Sequence, residues 1–137
     1  MGLLLDSTVL IAAERSGSNA RQALTGIAVR AAGEDIALSV VTLMELAHGE
    51  ARANTAQRQA MRRQFLDELM AAIPVHPVTT QAALRAGRID GESSARGIRL
   101  PLSDLLICTT ALELGYRVAT ANMRHFQMIP GLDVVLM

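Results

Sequence analysis

Residues 100–126 read LPLSDLLICTTALELGYRVATANMRHF. After Pro101 the run is apolar on almost every side, with Asp104 at its head and Glu113 among its last turns. A helix of that composition is expected to be buried, and an acid in its first turn sits where free N–H groups and the helix dipole tolerate an anion. Gly115 stops the helix, and Tyr116-Arg117-Val118-Ala119 follows as a short strand. Thr120-Ala121-Asn122 then forms a polar knot at the place where a parallel strand hands side chains to a cleft. One buried helix and one strand therefore aim polar groups at one edge of a sheet.

The same alternation runs through the rest of the chain. Leu3-Leu4-Leu5 is a continuous apolar run of the kind a buried parallel strand needs, and it ends at Asp6. Ser7 and Thr8 supply a helix start, and Val9 to Ala13 continue until Gly17. Ala20, Leu24, Ile27, Ala28 and Ala31 recur at helical spacing before Gly33. Ile36-Ala37-Leu38 is a second strand, and Ser39 to Thr42 turns into a helix with Glu45 in its opening turns. Thr55 to Ala72 carries Met61, Phe65, Leu69 and Ile73 as one i, i+4 stripe. Pro74 and Pro77 bracket Val75-His76, Thr79 to Arg96 is helical, and Pro130-Gly131 turns the chain into a last strand at Val134-Val135-Leu136. Short apolar strands separated by longer helices make an α/β fold with a mainly parallel sheet. At 137 residues, the expectation is one domain spanning positions 1–137.

Composition narrows the chemistry. Half the residues are hydrophobic, yet Phe65, Phe126 and Tyr116 are the only aromatic ones, so the core is built from aliphatic side chains. That apolar excess points to a partner or dimer surface. Thirteen arginines balance thirteen acids, so no global field recruits nucleic acid. The absence of lysine excludes a P-loop or Schiff-base lysine, and argues against receiver domains and dehalogenase-type phosphatases. Cys108 is the single cysteine and reads as a small buried hydrophobe in a reducing compartment. The N-terminus has no basic region and its apolar run is cut by Asp6, so neither a signal peptide nor a membrane span is expected, and a cytoplasmic location is.

Sites in parallel sheets lie beyond the carboxyl ends of the strands. Asp6 follows the first strand, Glu45 comes soon after the second, Asp104 opens the buried helix, and Asn122 follows the strand at Arg117 to Ala119. Three carboxylates at one edge take up protons or recruit a cation. An oxygen-only ligand set suits Mg²⁺ or Mn²⁺ rather than zinc, and such ions usually hold a substrate phosphate as well. Phosphodiester hydrolysis is the reaction to expect, with Thr120 or Ser7 orienting the attacking water. Each position also has a plainer reading. Asp6 and Asp104 sit where helix caps sit, Thr42 to Glu45 matches a capping box, and Asn122 suits a turn.

Taken together, LLLDSTVLI at 3–11, VTLMEL at 41–46, DLLI at 104–107 with Thr110-Ala111-Leu112, TANMRHF at 120–126 and IPGL at 129–132 resemble a PIN-domain ribonuclease, nearest to the VapC-type toxins of bacterial toxin–antitoxin pairs. The resemblance implies a three-layer α/β/α sandwich, Mg²⁺- or Mn²⁺-dependent cleavage of RNA that inhibits translation and growth, a homodimer, and a small antitoxin partner. Carried over by position, Asp6, Glu45 and Asp104 match the acidic metal ligands, and Asn122 stands where members have Asp or Asn.

Other polar residues carry less. His48, His76 and His125 do not form a ligand spacing, although His125 is nearest the site. Arg58, Arg62 and Arg63 read as a solvated helix face paired with Asp67 and Glu68. Arg124, beside Asn122, is the better candidate for a phosphate contact. Two further readings stand beside the toxin: a processing or DNA-acting nuclease without an antitoxin, and a silent binding domain whose acids only cap helices.

Overall fold

The computed structural model describes residues 1–137. Five strands, β1 (Gly2–Leu5), β2 (Asp35–Ser39), β3 (Val75–His76), β4 (Arg117–Thr120) and β5 (Val134–Leu136), form one sheet in the order β3-β2-β1-β4-β5. Every pairing is parallel. The all-apolar β1 takes the centre because a central strand is covered on both faces. Leu5 is level with Leu38 of β2 and Ala119 of β4, so the three strands end together.

Six helices connect them: α1 (Ser7–Arg15), α2 (Ala20–Arg30), α3 (Val40–Ala51), α4 (Ala56–Ala72), α5 (Thr80–Ala95) and α6 (Leu102–Leu114). The period-two alternation of β1 sorts the core into two layers. Leu3 and Leu5 face α1, α2 and α4 through Val9, Leu10, Ile27, Phe65 and Leu69. Leu4 faces the other way, with Ala37 and Val118, onto Leu105, Ile107, Cys108 and Ala111 of α6 and Ala86 of α5. The result is the expected three-layer sandwich. Each fully buried leucine here is worth about 1.5–3 kcal/mol of transfer free energy.

α6 is buried at Leu105 and from Ile107 through Ala111, as its composition demands. It ends in a left-handed Gly115 at φ 69°, a backbone conformation costly for a side chain with Cβ. The next residue, Tyr116, returns its N–H to the carbonyl of Ala111 and stays outside β4. Its ring lies over Gly2, where a Cβ would come within 2.6 Å of it. A side chain at the start of the central strand would have to push that ring aside.

Several local expectations shift. α1 starts at Ser7 and runs to Arg15, longer than the stretch from Val9 to Ala13. Met61 is 62 % exposed and leaves the stripe of α4, where Phe65 and Leu69 alone are buried. The arginines of α4 do not pair along their own helix with Asp67 and Glu68. Arg63 reaches Glu50 at 3.0 Å, Arg62 donates to the carbonyl of Gly49 at 2.6 Å, and Arg58 binds Asn54. These partners sit in and just after α3, so the basic face staples α4 to α3. No helix is long and apolar enough to cross a membrane.

Candidate active site

The strand ends deliver the acids. β1 leads directly into Asp6, whose N–H continues the ladder to the carbonyl of Ala119 at 2.9 Å. Asp6 occupies the N-cap position of α1, but its carboxylate accepts no backbone N–H from that helix. It is buried, and its Oδ2 instead takes the hydroxyls of Thr8 at 2.6 Å and Thr120 at 2.9 Å. The capping reading of Asp6 is thereby excluded.

Glu45 has no capping role either. α3 begins two residues before the apparent Thr42–Glu45 box, with Ser39 as its cap accepting the N–H of Val41. Thr42 turns inward and donates to the carbonyl of Leu5 at 3.0 Å, which fixes α3 against the end of β1. Glu45, one turn on, receives the hydroxyl of Ser7 at Oε1, 3.1 Å away. The capping box of this chain is elsewhere, between Asn19 and Gln22 at the start of α2.

Asp104 lies in the first turn of α6, and Pro101 holds the N-cap position with no side-chain cap. Its Oδ2 meets His125 Nδ1 at 2.9 Å. His125 sits 21 positions away, in the loop after β4, so sequence spacing gave no sign of the pair.

The three carboxylates feel one another. Burial is the largest cause pushing Glu45 above the ordinary glutamate value, and the negative charge of Asp6 comes next. Asp104 is also raised, first by burial, with His125 pulling it down and Asp6 pushing it up. No arginine forms an ion pair with any of the three. Cys108, one turn below Asp104, is driven far up by burial and by both aspartates, so it is an inert thiol.

The polar loop is built on the same oxygens. Thr120 accepts the N–H of Asn122 at 3.0 Å, and Asn122 Oδ1 accepts the N–H of Arg124 at 3.3 Å. Asn122 is exposed and thus spends its carbonyl oxygen on its own turn, as the plainer reading had it. Arg124 is exposed at the rim with no ion-pair partner.

Which ion fits this donor set is decided by the chemistry of its donors. In this structure no three His, Cys, Asp or Glu side chains, the three acids included, converge closely enough to hold a metal ion together. The donors are carboxylate oxygens, which suit a hard cation that completes its shell with several waters rather than zinc. Glu45 Oε1, Asp104 Oδ2 and Asp6 Oδ2 are each engaged by a neighbouring side chain, and the opposite oxygen of each makes no hydrogen bond to a side chain. Thr8 and the pairing of His125 are the features that sequence reasoning missed.

Comparison with known proteins agrees with the fold. Residues 3–131 match the PIN domain family. Ribonuclease VapC10 of Mycobacterium tuberculosis is 36 % identical over 130 residues, covering 95 % of this chain and 90 % of that protein. Among solved structures, VapBC2 of Rickettsia felis bound to a promoter DNA fragment superposes with a TM-score of 0.84 at 20 % identity, over 100 % of this chain and 99 % of that one. A toxin–antitoxin complex from Klebsiella pneumoniae gives 0.68 at 26 % identity, covering 98 % and 96 %. With its parallel sheet, its acids at the strand ends and a family match over nearly its whole length, the chain belongs to the PIN-domain family and, within it, to the VapC ribonucleases.

Proposed function

We propose that this protein is an Mg²⁺- or Mn²⁺-dependent endoribonuclease, the toxin of a toxin–antitoxin pair, which cuts RNA and so inhibits translation and growth. One observation carries the reading: Asp6, Glu45 and Asp104 stand within reach of each other's charge, with no arginine paired to any of them and none of them capping a helix. Asp6, Glu45 and Asp104 would hold the ion. When bound, it supplies an activated water and offsets the charge that builds on the phosphoryl oxygens.

The chain's own residues prepare the site. Thr120 holds Asp6, and Ser7 holds Glu45. His125 holds Asp104 by one oxygen, which leaves the other without a side-chain partner. Arg124 contacts a substrate phosphate from the rim, and the amide nitrogen of Asn122 is its neighbour on the same loop. Residues 1–137 act as one nuclease domain in the cytoplasm, as a homodimer, restrained by a small antitoxin protein. The antitoxin is supported by the Klebsiella complex, and the RNA substrate by the Mycobacterium relative. A silent binding domain has no support here, because the acids that would cap helices do not cap them.

Induced expression in bacteria tests the toxin role. Wild type should arrest growth and fragment RNA, and Asp104→Asn at equal soluble level should do neither. Wild-type cells that grow normally with intact RNA would overturn it.

A further inference from the structure

Thr8 is the second residue of α1 and is partly buried between β1 and the loop after β4. Its hydroxyl has three polar neighbours: Asp6 Oδ2 at 2.6 Å, Thr120 Oγ1 at 3.1 Å and the N–H of Ala121 at 3.0 Å. Proton accounting resolves their direction. A hydroxyl has one proton to give and two lone pairs to fill. The N–H of Ala121 can only donate, so it takes a lone pair of Thr8, as the N–H of Asn122 takes one of Thr120. An ionised carboxylate can only accept, and Asp6 Oδ2 is within reach of both hydroxyls. The 2.6 Å separation is that of a charge-assisted O–H···O⁻ bond, so the proton of Thr8 points at Asp6.

Two consequences follow from this arrangement. Oδ2 of Asp6 is saturated by two hydroxyls, so the carboxylate has a single free oxygen, Oδ1, to offer. The backbone after β4 is tied to the same oxygen through Ala121 and Asn122, and that loop carries His125, which grips Asp104. Thr8 therefore sits on a path of hydrogen bonds and loop backbone that runs between two of the three acids.

We propose that Thr8 is a positioning residue for the cation site, setting the rotamer of Asp6 and the seat of the 120–125 loop together. The inference rests on the metal-site reading above. Partners that orient ligating carboxylates typically change metal affinity by about 10–100-fold when removed.

Calorimetric titration of Mn²⁺ into purified wild type, Thr8→Val, Thr8→Ala and Thr8→Ser, with a thermal melt of each, tests it. Valine keeps the shape, alanine removes the hydroxyl without setting a methyl against the carboxylate, and serine restores the donor. The expected result is Mn²⁺ affinity about 10–100-fold weaker in the valine and alanine variants and near wild type in the serine variant, all folded. Wild-type affinity in folded valine and alanine variants would overturn the proposal. Loss of folding in both would assign Thr8 to the scaffold alone and overturn it equally. A wild type that takes up no Mn²⁺ would remove the metal-site reading itself, and this inference with it, a result distinct from the other two.

Discussion

Glu45 shows how a single side chain can be unfavourable for the fold and useful to the site. Burial and the charge of Asp6 raise its pKa in the folded protein, so the folded chain holds this proton more tightly than the unfolded chain does. Asp104 behaves in the same way. A raised carboxylate penalises folding in full where the pH lies above its folded pKa, so that it is ionised in both states. The penalty fades as pH falls through the folded pKa and is gone below the ordinary values, 4.5 for Glu45 and 3.8 for Asp104. The contribution of these two groups to metal-free stability therefore rises on mild acidification. Glu45→Gln keeps an oxygen for Ser7 and deletes the charge. It should melt higher than wild type at neutral pH without metal, and the gap should close as pH is lowered. Denaturant melts across that range check it, and a variant less stable than wild type at neutral pH would refute the argument. These residue-scale roles were only partly legible in the sequence. Asp6, Glu45 and Asp104 stood out because acids beside apolar runs are conspicuous. Thr8 did not, because a threonine at a helix start has an ordinary local use, and His125 did not, because its partner is far away in sequence.

At the scale of elements, boundaries decided what the motifs meant. Strand β2 runs on to Ser39, which caps α3, and this frees Thr42 and Glu45 from the capping box that their spacing suggests. The strands and helices themselves were readable, since an all-apolar run such as Leu3 to Leu5 and a buried helix such as α6 admit few other uses. The partners of the α4 arginines were not, because they depend on how α3 and α4 pack rather than on spacing along one helix. Thr42 is the joint between α3 and β1, fully buried and bonded to the carbonyl of Leu5. Thr42→Val should cost about 1–3 kcal/mol of stability, the price of a buried hydrogen bond with one partner left behind. A urea melt measures it, and an unchanged midpoint would show that α3 is seated by apolar packing alone.

For the whole molecule, the sheet brings acids from positions 6, 45 and 104 to one edge, and their mutual repulsion opposes that gathering, a cost that the proposed cation would offset. Binding to the folded state alone stabilises by mass action, about 2.7 kcal/mol at a hundred times the dissociation constant. Adding Mn²⁺ should thus raise the melting temperature of wild type and leave Asp6→Asn nearly unmoved. Equal shifts in both would mean that the ion binds elsewhere. The balanced net charge gives no long-range attraction for RNA, so on the proposed reading substrate capture would fall to local groups such as Arg124.

The most direct test of the account is incubation of total cellular RNA with purified protein in Mg²⁺ or Mn²⁺, beside EDTA and the Asp6→Asn and Asp104→Asn variants. Discrete fragments from wild type, abolished by EDTA and absent with either folded variant, are the predicted result. RNA cut equally well by the folded variants, or in EDTA, would contradict it.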